Sequence, residues 1–101
     1  MLGFPAYHEE TFLVRPRQVP LRDAVLAAFR SLSWGLQSAS ADCLVCATGM
    51  NVWSWGESVR VTVYSDGHVT ALSKCVLPLQ LMDWGKNYEN IQSLKRVLSQ
   101  M

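Results

Sequence analysis

SVRVTVYSDGHVTALSK, residues 58–74, is the stretch that decides the fold. Val59, Val61 and Val63 alternate with Ser58, Arg60, Thr62 and Tyr64, the period of a strand with one buried face. Ser65-Asp66-Gly67 then turns the chain. A two-residue loop would set Val63 opposite Thr70 and Val59 opposite Lys74, mixing polar side chains into the apolar face. A three-residue loop with Gly67 left-handed sets Val63 against Val69, Val61 against Ala71 and Val59 against Ser73. Only the second keeps that face clean, so the bulged loop is expected. The opposite face then carries Arg60, Thr62, Tyr64, His68, Thr70, Leu72 and Lys74.

Outward from the hairpin, Cys43-Leu44-Val45-Cys46-Ala47 reads as a strand buried on both faces, and Leu36 to Ser40 as a short extended run. Leu21, Ala24, Val25, Ala28, Phe29 and Leu32 recur at steps of three and four, one stripe of an amphipathic helix. Pro20 suits its first turn and Gly35 its termination. Thr11 to Val14 reads as a first strand, closed by Pro16 and Pro20. After Cys75 a loop from Val76 to Met82, broken by Pro78, leads to a last helix with the stripe Tyr88, Ile91, Leu94, Val97, Leu98 and Met101. Asp83 or Asn87 is expected to cap it.

The order is therefore strand, helix, four strands, helix, in a single domain over residues 1–101. Two helices laid on one face of an antiparallel sheet satisfy that order, an α+β fold. The succession is similar to the half-repeat of TATA-binding-protein-like folds and, more loosely, to helix-grip folds. A likeness of topology carries no function.

A chain of 101 residues can build a core without metal or disulfide staples. Half of it is hydrophobic and 17% is charged, which excludes a disordered tail and suits self-association. A net charge of +1 without a basic run argues against non-specific nucleic-acid binding. No run approaches the roughly 18 apolar residues of a membrane span. The N-terminal residues have no cationic-then-apolar leader, and three cysteines, an odd number, suit a reducing cytoplasm.

Ser54-Trp55-Gly56-Glu57 before the Val-rich strand, Ser73-Lys74-Cys75, Pro78, Gln80, Asp83-Trp84-Gly85-Lys86-Asn87 and Asn90-Ile91 form a distinctive set, because Trp-Gly pairs are rare. On these residues the chain resembles a family of small bacterial proteins without an assigned activity, over about residues 50–95. The resemblance implies no catalytic residue and no cofactor.

Cys43 and Cys46 have CxxC spacing, but on a strand residues three apart point to opposite faces, so core packing is expected rather than a disulfide or a metal. No metal site and no cofactor is expected. Glu57, Asp83 and Lys86 are the charged residues attached to the rare motifs. They read as pinned loops, with Glu57 pairing Lys86 and Asp83 capping a helix, or as an acid, a base and a cation beside indoles. Trp53 and Trp55 share a face if extended and, with Trp84, would line a pocket, an interface or a small satellite core. Trp34 is assigned to the core.

Three functional classes follow. The first is a non-catalytic binding or interaction module, a homodimer acting through the open sheet face or the tryptophan loops. The second is nucleic-acid binding across Arg60, Tyr64, His68 and Lys74, opposed by the neutral total and by Glu9, Glu10 and Asp66. The third is an enzyme using Glu57, Asp83 and Lys86, for which no nucleophile elbow, phosphate loop or metal cluster is present in the sequence.

Overall fold

The structure, a computed structural model, describes residues 7–15, 19–48, 56–75 and 86–100. They form β1 (Tyr7–Leu13), α1 (Leu21–Ser31), β2 (Gly35–Ala39), β3 (Cys43–Ala47), β4 (Glu57–Val63), β5 (His68–Cys75) and α2 (Lys86–Gln100). This is the expected α+β order, with the five strands antiparallel in the spatial order β1-β5-β4-β3-β2.

The β4–β5 register is the one that the clean apolar face demands: Val63 opposes Val69, Val61 opposes Ala71 and Val59 opposes Ser73. Gly67 sits at φ +95°, its N–H bonds the Tyr64 carbonyl at 3.1 Å, and the Tyr64 N–H bonds the His68 carbonyl at 2.9 Å. That is a three-residue loop with a left-handed glycine. Asp66 tightens it by accepting the His68 backbone N–H at 2.9 Å.

Both helices cover the face so defined. Val59, Val61, Val69, Ala71, Leu44 and Cys46 from the sheet meet Ala24, Val25, Ala28 and Phe29 of α1 and Ile91, Leu94 and Leu98 of α2. Each fully buried Val, Leu, Ile or Phe contributes about 1.5–3 kcal/mol.

Five expectations need correction. β1 is longer than Thr11–Val14: it begins at Tyr7 and pairs along its whole length with β5. Its inner face is polar at His8 and Glu10, so an apolar alternation could not reveal it. β3 is buried on one face only, with Leu44 and Cys46 inside and Cys43, Val45 and Ala47 half-covered. Tyr88 is not on the buried stripe of α2, being 49% exposed, because the helix turns Asn87, Asn90, Ile91, Leu94 and Leu98 inward. Asn87 is accordingly the second residue of the helix and buried rather than a cap. Asp83, the alternative cap, lies outside the described residues, as do Pro78 and Met101.

The fifth correction concerns the end of α1. Gly35 opens β2, and the left-handed residue that closes the helix is Ser33, at φ +61°. The Trp34 N–H bonds the Phe29 carbonyl at 2.9 Å and the Ser33 N–H bonds the Arg30 carbonyl at 3.0 Å, the paired bonds of a Schellman ending. The Phe29 and Trp34 rings meet at 6.0 Å, the apolar contact that accompanies such an ending. Trp34 packs against the core from this position.

A left-handed serine costs about 1 kcal/mol that glycine would not. Ser33→Gly is therefore expected to stabilise the protein by about 0.5–1 kcal/mol, while Gly67→Ala lowers stability by about 1 kcal/mol or more. Thermal unfolding followed by circular dichroism should move the two midpoints in opposite directions; a shift of both the same way would refute the assignment.

Candidate functional site

The face of the sheet away from the helices is laid out by the strand registers. One cross-strand row is Tyr7, Lys74, Ser58 and Ala47, and the next is Glu9, Leu72, Arg60, Val45 and Ser38. A third is Thr11, Thr70, Thr62 and Cys43, in which the Thr11 and Thr70 hydroxyls bond at 2.8 Å. Leu13 and His68 form the last, with Tyr64 beside them past the end of β4.

Arg60, His68 and Lys74 thus share one open face, with Tyr64 at its rim, but they are not one cluster. Arg60 and Lys74 lie in adjacent rows at one end. His68 is two rows from Arg60, about 13 Å along the strands. His68 also has a carboxylate at hand, from a residue only two positions before it: its Nδ1 lies 2.9 Å from Asp66 Oδ2. The backbone N–H and ring of His68 hold the exposed Asp66 carboxyl below its ordinary range.

Glu57, by contrast, is 3% exposed. It opens β4 at the sheet's end, where its carboxyl Oε1 accepts the Thr48 hydroxyl at 2.9 Å and the Asn90 amide N–H at 2.9 Å. The same Thr48 hydroxyl accepts the Glu57 backbone N–H at 2.8 Å. The second Asn90 amide hydrogen goes to Ser73 Oγ at 3.1 Å, and the Ser73 hydroxyl donates to Asn87 Oδ1 at 2.7 Å. β4, β5 and α2 are joined here by one directional chain of hydrogen bonds, and a buried carboxyl of this kind needs such donors.

The expected Glu57–Lys86 pair is not among the ion pairs of the described residues, and the Lys86 side chain is exposed. Glu57 turns to Asn90 because α2 presents Asn87 and Asn90 to the sheet. The sequence motif holds Glu57, Ser73, Asn87 and Asn90 but not Thr48, and its spacing does not reveal that these side chains bond one another. Two asparagines three residues apart, in step with Ile91, Leu94 and Leu98, were the signal available. Trp53, Trp55, Asp83 and Trp84 lie outside the described residues.

A second polar seam joins β1 to α2. Glu10 accepts hydrogen bonds from His8 Nε2 at 2.7 Å, Lys95 Nζ at 2.9 Å and the Gln92 amide. His8 meets the Tyr88 ring edge-on at 5.0 Å, and Lys95 stands 5.5 Å over the Phe12 ring. Partial burial pushes the Glu10 carboxyl up, but the bonds from His8, Lys95 and Gln92 and the charge of Lys95 outweigh it and hold it below its ordinary value of 4.5.

Cys46 is in the core, where burial pushes its thiol up to about 12 and leaves it a packing residue. Cys43 points to the open face, so the CxxC pair is split across the sheet, and both are free thiols. Among the described residues no group of His, Cys, Asp and Glu is arranged to hold a metal ion. No helix among them is long and apolar enough to cross a membrane. No protein-family model matches the chain, and no curated protein matches it.

Removing Asn90 strips Glu57 and Ser73 of a donor inside the protein. Asn90→Leu should therefore cost about 2–3 kcal/mol in urea denaturation; a loss below about 0.5 kcal/mol would show that the chain of bonds is not holding α2. Because the folded pKa of Glu10 is lowered, its stabilisation is complete above the unfolded value and disappears as pH falls through the folded one. The stability gap between the parent protein and Glu10→Gln should accordingly narrow as pH is taken from 6 to 3, and a gap that widens would overturn this account.

Proposed function

We propose that the protein is a small non-catalytic interaction module that self-associates through its helix-free sheet face. The observation that supports this reading is the composition of that face. Leu72, Val45, Ala47 and Cys43 are half-covered on it, and the hydroxyl side chains Thr11, Thr70 and Thr62 share the Cys43 row. Glu9 and Arg60 flank Leu72 in one row, about 10 Å apart across two strand spacings. A second copy rotated about an axis along β5 would set each Glu9 over its partner's Arg60. The occupant is thus a second copy, with both signs of charge supplied by one surface.

The motif by which the chain resembles small bacterial proteins fits the same view. Its members Glu57, Ser73, Asn87 and Asn90 are spent on mutual hydrogen bonds in the interior. We read them as the signature of a fold rather than of a reaction, and place the protein in a bacterial cytoplasm, where the free thiols of Cys43 and Cys46 are stable.

One observation favours a second reading, nucleic-acid binding across the same face: Arg60, His68 and Lys74 do stand on it, beside Tyr64. Glu9 in the Arg60 row and Asp66 on His68 weaken the field it would need.

Sedimentation equilibrium should show a concentration-dependent dimer that Arg60→Glu abolishes and that Glu9→Arg combined with Arg60→Glu restores. A monomer at every concentration up to about 1 mM, an affinity limit of about 4 kcal/mol, would defeat the proposal. Salt-sensitive binding of oligonucleotides by that monomer would favour the second reading.

A further inference from the structure

β2 lies at the edge of the sheet, hydrogen-bonded to β3 on one side, and all five of its residues are exposed. Edges are usually protected by charge or proline, yet Gly35-Leu36-Gln37-Ser38-Ala39 has neither. Alongside it, α1 and the residues that close it leave a cavity of about 340 Å³ lined by Leu26, Phe29, Arg30, Trp34 and Leu36. Leu36 is 51% exposed, and the one charged side chain of this lining is a cation.

The charge extends along the groove. Arg22, Leu26 and Arg30 form one row of α1 at four-residue steps, and Arg22 reaches past the end of β2 to donate from Nε to the Ser40 carbonyl at 2.8 Å. Each step of that row rises about 6 Å. Alternate residues of an extended strand advance about 6.6–6.8 Å. The two repeats match closely enough for three side chains to be read in a row.

We infer that β2 and α1 form a docking groove for an extended peptide segment of the pattern acidic–x–apolar–x–acidic. Its backbone adds a sixth strand to the β2 edge, its central apolar side chain enters the cavity against Leu26 and Trp34, and its two carboxylates face Arg22 and Arg30. Main-chain bonds supply the affinity and alternate side chains the selectivity. A second copy of this protein fits the same edge poorly. It would bring Arg22 and Arg30 against the same cations. The inference is independent of what the open face binds.

The probe is the peptide acetyl-Ser-Glu-Thr-Leu-Thr-Glu-Ser-amide, added to the full ¹⁵N-labelled chain. Saturable binding is expected, with amide shifts and new exchange protection centred on Gly35–Ala39. Arg30→Glu should weaken binding by about tenfold or more. The matching peptide with lysines in place of the glutamates should bind Arg22→Glu/Arg30→Glu in preference to the parent. Arg30 is exposed, so Arg30→Glu should keep the parent's circular dichroism. Shifts confined to β4 and β5, equal affinity for the acidic and lysine peptides, no saturation by about 1 mM peptide, or a dimer that protects the β2 amides in the absence of peptide would each overturn the inference.

Discussion

The left-handed conformation of Gly67 is the constraint on which the rest of the structure depends. It fixes a three-residue loop, the loop fixes the β4–β5 register, and the register decides which side chains of the two central strands look toward the helices. A slip of one residue would bring Thr70 and Lys74 against Val63 and Val59 and leave no continuous apolar surface for Phe29 and Leu94. β1 and β3 inherit their facing from these two strands by simple pairing. The helix-free face is a product of the same choice, since it consists of the residues that the hairpin turned outward.

Apolar packing alone would allow α2 to rotate by part of a turn, because Ile91, Leu94, Val97 and Leu98 present a broad stripe. The polar residues remove that freedom. Asn90 must meet both Glu57 and Ser73, and Asn87 must meet Ser73, so azimuth and axial position are specified together. Glu10 repeats the arrangement on the other strand, taking Gln92 and Lys95 one turn further along. Polar groups thus define how the last helix sits, while the hydrophobic contacts supply most of the stabilising energy.

What could be read from the residues followed from local periodicity. The hairpin, β3 and α1 were legible because the alternation of valines, the Cys43–Ala47 run and the Leu21–Leu32 stripe are each set by a few neighbouring side chains. The true length of β1 was not, since His8 and Glu10 are tolerable on an inner face only when α2 brings donors to them. Tyr88 reads as a core residue and Asn87 as a cap for a related reason: hydropathy ranks tyrosine above asparagine, whereas in the fold Asn87 turns inward, where its Oδ1 accepts the Ser73 hydroxyl. Ser33 is not legible as the helix terminator because glycine dominates that position without monopolising it. At the candidate site, the outward placement of Arg60 and Lys74 followed from the register. The partner of Glu57 did not, because it depends on the rotation of a helix more than thirty residues away.

The position of β1 has a consequence for how the chain assembles. The β4–β5 ribbon closes across a three-residue loop, whereas Thr11 must find Thr70 from 59 residues away. Local closure is fast and long closure costs more chain entropy, so the ribbon is the natural nucleus and β1 a late arrival. Until it arrives, the outer edge of β5 and the Lys95 side of α2 form an unfilled berth. During synthesis β1 therefore emerges well before β5, the strand it pairs with, has been made.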